Sequence, residues 1–227
     1  MIPCIIPARG GSKSIPHKNI TLLSGKPLIV WSIEQARAAE EIDRVIVATN
    51  CDRIADVARE HQAQVYWRSE ESATDAAPSE HVLQEVVTEL GYHSCEAIVF
   101  LQATSPVRLP GEIDRAIGLF RDRQADSLFS GRHVEGYTWR QNDAQLTPLY
   151  ITRRRRQDEA GETIEENGSI YIFQPRVLLE TGNRLGGKVV CHKMHTLDSW
   201  QVDEFEDIPL IERIMEVRLG CQPQLSA

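Results

Sequence analysis

Short apolar runs alternate with segments of helical spacing along most of the chain, and this alternation restricts the fold more than any other feature. Ile2–Pro7, Arg44–Ala48, Gln64–Trp67, Ala97–Leu101 and Ser127–Phe129 read as short strands, mostly buried. Between them, apolar residues fall at helical spacing. Leu28, Ile29, Trp31, Ile33 and Ala36 follow Pro27, Ile54, Val57 and Ala58 sit within 52–60, and Val82, Leu83, Val86 and Val87 form a segment that Ser79 can cap. A further helix spans Ile113–Phe120. Strand–helix units of this length predict an α/β fold, with a mostly parallel sheet and helices on both faces. Ser169–Phe173 resumes the sheet, Lys188–Cys191 adds a strand, and Ile208–Val217 closes the pattern as a helix. Between about Gly131 and Glu166 the pattern gives way to polar, Arg-rich sequence, read as an arm inserted in a single domain spanning 1–227. Open sheets bind ligands outside the carboxyl ends of their strands. The loop after Pro7, the segment after Leu101 and the stretch near Asp203 are therefore the places to look.

Charge narrows the ligand. The 227 residues carry 25 Lys and Arg against 33 Asp and Glu, a net charge of −8, which disfavours general nucleic-acid binding. No apolar run approaches the ~20 residues of a membrane span, and Met1–Pro7 is too short for a signal peptide. Five scattered cysteines without a CxxC pair suggest neither a disulfide framework nor a zinc site, so a reducing cytoplasm is expected. No acid precedes Glu34, whereas Arg9, Lys13, Lys18 and Lys26 fall in that stretch. Seven acids lie between Thr196 and Glu216 against one base, Arg213. A cationic loop and an anionic segment suit an anionic ligand with a divalent cation, although charge runs of this kind also serve as solvated surface.

The loop Ile6-Pro-Ala-Arg-Gly-Gly-Ser-Lys-Ser-Ile-Pro-His-Lys-Asn19 is the most specific motif. Gly10 and Gly11 let the backbone approach a ligand with its N–H groups inward, and Arg9 and Lys18 neutralise phosphate oxygens. The spacing is neither a P-loop nor a dinucleotide fingerprint, and a plain Gly/Ser surface turn is the alternative. Lys18 is expected to be an exposed loop lysine that supports no core.

The loop, followed by Gly25-Lys26-Pro27-Leu28, resembles the opening of the acylneuraminate cytidylyltransferases (CMP-sialic acid synthetases) and their legionaminic and pseudaminic acid relatives. Arg68-Ser-Glu-Glu-Ser-Ala-Thr-Asp75, Leu101-Gln-Ala-Thr-Ser-Pro-Val-Arg108, Arg155-Arg-Gln-Asp158 and Glu166-Asn-Gly-Ser-Ile-Tyr171 follow in that family's order, so the resemblance covers nearly the whole chain. It implies a Rossmann-like nucleotidyltransferase sheet with a dimerisation arm. The implied reaction transfers CMP from CTP to the anomeric hydroxyl of a nine-carbon 2-keto sugar acid, with Mg²⁺ and release of pyrophosphate. The implied assembly is a homodimer or a tetramer, with neither nucleic acid nor membrane as partner. By resemblance, Ala8, Arg9, Gly10, Gly11, Ser12, Lys18 and Asn19 hold the nucleotide, Arg68 lies near the cytosine, and Asp75 to Ser79 closes around the base. Gln102, Arg156 and Asn167 face the sugar acid. Arg9, Lys18 and Asp203 carry the catalytic charge.

Relatives often place an Asp-x-Asp pair where this chain has Gln201-Val202-Asp203. Asp203 is then the expected Mg²⁺ ligand, because hard cations prefer carboxylate oxygens. Asp207, four residues on, either joins it or caps the following helix. His192 and His195 lack partners at zinc spacing. A nucleotidyltransferase for another nucleotide or sugar, or a nucleotide-binding protein without catalysis, are the competing readings.

Overall fold

Strands apolar at successive positions must be covered on both faces, and the structure, a computed structural model, covers them with helices. It describes residues 1–12, 14–74, 76–135, 139–143, 145–148 and 162–221. From β1 (Pro3–Pro7) the chain passes through a small hairpin, β2 (Leu22–Leu23) and β3 (Lys26–Pro27), into α1 (Leu28–Ala38). There follow β4 (Arg44–Thr49), α2 (Asp52–Glu60), β5 (Gln64–Trp67), α3 (Ser79–Glu89), β6 (Ile98–Leu101), α4 (Glu112–Asp122) and β7 (Ser127–His133). A hairpin of β8 (Trp139–Asn142) and β9 (Gln145–Pro148) precedes β10 (Ile164–Phe173), α5 (Pro175–Thr181), β11 (Val189–Lys193) and α6 (Asp207–Leu219).

The central sheet has the order β11-β7-β10-β6-β1-β4-β5. β1 pairs in parallel with β4 and β6, β4 with β5, and β11 with β7. β10 is the exception, antiparallel to both β6 and β7. The cause is its connection. His133 pairs with Ile164, so the chain returns alongside β7 as a long hairpin without the crossover a parallel partner needs. Of the segment expected to form an arm, Gly131–His133 and Ile164–Glu166 pair within β7 and β10, and the β8–β9 hairpin falls between them in sequence.

Alternation along the strands sorts the core. Cys4, Ile6, Val45 and Val47 pack with α1, α2 and α4, whereas Ile5, Ile46, Ile98 and Phe100 pack with α3 and α5. A third cluster joins Ile15, Leu23, Leu28 and Trp31 to Val202, Ile211 and Met215. It seats the loop after β1 against the residues that lead into α6. Ser79 opens α3 as a helical residue rather than as a bonded cap, since the cap position is Pro78. The chain proceeds from β1 to β4 and β5 on one side, then returns to β6 on the other. The crevice beyond the carboxyl ends of β1 and β6 is the switch point where such sheets bind ligands.

Candidate active site

Beyond Pro7 the backbone leaves the sheet under close control. The Ala8 N–H donates to the Ala48 carbonyl (2.9 Å) and the Gly10 N–H to Asn50 Oδ1 (2.8 Å). A Cβ at Gly10 would stand 2.8 Å from Cys51 Cβ, so only glycine lets the loop lie this close to the end of β4. Asn19 Nδ2 donates to the Arg9 carbonyl (3.0 Å) and folds the loop back on itself. On the far side, the Val202 N–H donates to the Thr104 carbonyl (2.8 Å), which fixes residues 201–203 across the crevice.

These segments enclose a cleft of about 500 Å³. Arg9, Gly11, Ser12, Lys18, Asn19, Arg68, Ser79, Gln102 and Asp203 line it, all of them singled out from the sequence. Pro7 ends β1, Arg68 follows β5, Gln102 follows β6 and Ser79 begins α3, so three strand ends and a helix N-terminus converge. Ala8 and Gly10 stand outside the lining, as supports of the loop. Asn167 is buried and also outside it. Its Oδ1 accepts from Ser130 Oγ (2.6 Å) and its Nδ2 donates to Ser199 Oγ (3.0 Å). Asp207 lies outside the lining too, at the start of α6, where its Oδ2 accepts from the N–H groups of Asp203 (2.8 Å) and Glu204 (2.7 Å). Lys13, Asp75 and Arg156 lie outside the described residues.

Lys18 differs from the exposed lysine expected. Its side chain is only 13% exposed, and Nζ donates to the carbonyls of Val202 (3.1 Å) and Asp203 (3.2 Å) and to Asp203 Oδ1 (3.2 Å). Ser14 Oγ donates to the same Asp203 carbonyl (2.5 Å), so the glycine loop and the 202–203 segment are stapled together. At the opposite end, burial lowers the Arg68 pKa below its ordinary value. The Glu85 carboxylate opposes that shift, and the Arg9 charge adds to it. Two guanidiniums close enough to repel each other across a cleft favour an anion between them.

Asp203 is the one carboxylate lining the cleft among the described residues, and its side chain is largely exposed to it. Those residues contain no cluster of three or more acids, histidines or cysteines able to hold a metal unaided. The donor set fits Mg²⁺, which is bound through one or two carboxylates together with water and substrate phosphates.

Sequence reasoning left out Ser14, Thr104, Gln201, Val82 and Phe100 from the lining. Ser14 and Thr104 lie inside the quoted motifs, and their hydroxyls were the available signal. Val82 on α3 and Phe100 on β6 are indistinguishable in sequence from core residues, because both belong to the buried core.

A family model described as cytidylyltransferase matches residues 3–173. The chain is 37% identical to the CMP-N,N'-diacetyllegionaminic acid synthase of Legionella pneumophila, over 95% of this chain and 97% of that protein. It is 35% identical to N-acylneuraminate cytidylyltransferase A of Danio rerio, over 93% of this chain but 50% of the relative, so it spans about half the length of that protein. Among solved structures, CMP:2-keto-3-deoxy-manno-octonic acid synthetase complexed with CTP has the same fold, with a TM-score of 0.72 at 18% identity, covering 95% of this chain and 98% of that one. The motifs, the sheet order and these matches agree: the chain belongs to the cytidylyltransferase family.

Proposed function

We propose that this chain transfers CMP from CTP to the anomeric hydroxyl of a nonulosonic acid and releases pyrophosphate. The observation that carries the reading is the convergence of Arg9, Lys18, Gln102 and Asp203 on one cleft at the switch point of the sheet. The sugar hydroxyl oxygen forms a bond to the α-phosphorus as the bond from that phosphorus to the leaving oxygen breaks, and the hydroxyl proton passes to solvent water. Such transfer is governed by alignment and charge neutralisation. Arg9 and Lys18 face the charge that develops on pyrophosphate. Ser12, Gly11 and Asn19 line the same wall. Arg68, Ser79 and the N-terminus of α3 form the end assigned to cytosine. The side-chain amide of Gln102 makes no hydrogen bond among the described residues, which leaves donor and acceptor to a polyhydroxylated sugar. Asp203 would hold Mg²⁺ together with triphosphate oxygens, and the ion would screen the repulsion between the sugar carboxylate and the triphosphate.

The arm is assigned to a second subunit. Trp139 and Leu146 on the β8–β9 hairpin are exposed, as a docking element requires. Arg156 is assigned to the sugar site on the resemblance alone. The Legionella relative is matched over nearly its full length, so diacetyllegionaminic acid belongs beside N-acetylneuraminic acid among the first substrates to try. The test is a pyrophosphate-release screen of CTP, UTP, ATP and GTP against several nonulosonic acids. Turnover with CTP and at least one such acid supports the reading, and equal turnover with a purine triphosphate contradicts the base assignment.

A further inference from the structure

Two amides that line the cleft, Gln102 and Gln201, meet a third behind it, Asn167 of β10, and the three are not equivalent. Gln201 is engaged at both ends: Oε1 accepts from Thr104 Oγ1 (3.0 Å) and Nε2 donates to the Asn167 carbonyl (2.8 Å). Asn167 is itself fixed, since its Oδ1 also accepts from the Ser169 N–H (3.1 Å). Between them lies Gly168 at φ +68°, within the irregular part of β10 where the register shifts between Glu166 and Tyr171. A Cβ on Gly168 would stand 2.3 Å from Gln201 Nε2 and 2.5 Å from Gln102 Oε1, so both amides lie directly over that bare backbone. The backbone beneath is clamped. Nη2 of the fully buried Arg108 donates to the carbonyls of Gln102 (2.9 Å) and Ser169 (2.8 Å).

We propose that Gln201 is a positioning residue for Gln102, a neutral amide brace that holds the Asn167–Ser169 bulge and confines the Gln102 side chain to the cleft. This rests on the cytidylyltransferase reading of the same cleft and deepens it at the sugar end. The carboxamide offers a donor to the Asn167 carbonyl together with an acceptor for Thr104. A carboxylate of the same shape presents acceptors alone and sets a negative oxygen against a carbonyl. Asp203 would supply the carboxylate for the cation, and Gln201 shapes the wall beside it.

The test compares Gln201→Glu and Gln201→Met with the wild-type chain, with sugar acid and CTP varied separately. Losing both hydrogen bonds without adding charge should raise KM for the sugar acid about threefold in the Met variant, and repulsion between the carboxylate and the Asn167 carbonyl should raise it about tenfold in the Glu variant. KM for CTP should stay within about twofold of wild type in both. A wild-type KM for the sugar acid in the Glu variant, or a Glu variant no more impaired than the Met variant, overturns the proposal. Amide hydrogen exchange reads the brace without turnover. Faster exchange at Ser169 and Ile170 in the Glu variant supports it, and unchanged exchange overturns it. If the wild-type chain turns over no nonulosonic acid with CTP, the reading of the reaction fails, and the exchange result still decides the role of Gln201.

Discussion

Lys18 shows how a single side chain couples the two halves of the cleft. Its charge lies against Asp203 and two carbonyls, so a phosphate must compete with those partners for its hydrogens. Lys18→Ala should lower kcat/KM for CTP about tenfold to a hundredfold, the worth of one charge-assisted contact. It should also loosen the 202–203 segment, at a stability cost below about 1 kcal/mol because the Asp203 partner is largely exposed. Steady-state kinetics with a urea melt separates the two effects, and an unchanged kcat/KM would remove Lys18 from the phosphate site. Asp203→Asn keeps the backbone contacts of Lys18 but removes the anionic oxygen, so Mg²⁺-dependent turnover should collapse while the melting curve is retained. An Mg²⁺ titration showing wild-type activity would place the metal elsewhere. Cys4 provides a control on the core: burial pushes its thiol up to about 12. Iodoacetamide at pH 8 should therefore leave Cys4 unmodified in the native protein, as mass mapping would reveal, and alkylation before unfolding would show that β1 is not buried as described.

At the scale of elements, the irregular stretch of β10 organises the cleft. Ser130 Oγ on β7 accepts from the Ile170 N–H (2.7 Å) and donates to Asn167 Oδ1 (2.6 Å), all in buried surroundings. Ser130→Ala strands that N–H, and should cost about 1–3 kcal/mol in denaturant unfolding. A loss under about 0.5 kcal/mol would mean that another group satisfies it. The same stretch marks where sequence reading stops. The bounds expected for α2 and β5 match the structure because amphipathic spacing and turn residues flank them closely. The antiparallel direction of β10 was not legible, since strand direction is set by the connection and not by the strand's own residues. The helix α5 was passed over although Pro175 opens it and Gly182 ends it at φ 70°, the ordinary start and stop signals for a seven-residue helix. In the site, cations and glycines of the first loop were legible because their chemistry is local. The engagement of Gln201 was not, because its partners Thr104 and Asn167 are distant in sequence.

For the whole molecule, the sheet order brings the ends of β1, β5 and β6 to one edge, and the third apolar cluster pulls the approach to α6 over the loop after β1. The β7–β10 stem lies in the other half of the sheet, and the β8–β9 hairpin falls between its strands in sequence. If the arm docks on a second subunit as proposed, sedimentation at micromolar concentration should show a dimer or tetramer, and a monomer would rule out the arm as an obligate contact. The central claim is that this cleft joins the α-phosphorus of CTP to a nonulosonic acid. Phosphorus NMR of the chain with CTP, Mg²⁺ and the sugar acid tests it most directly. A new phosphodiester resonance should grow in equal amount with pyrophosphate, and only when the sugar acid is present. Pyrophosphate without the phosphodiester, or no change in the CTP resonances with any of the acids, would contradict it.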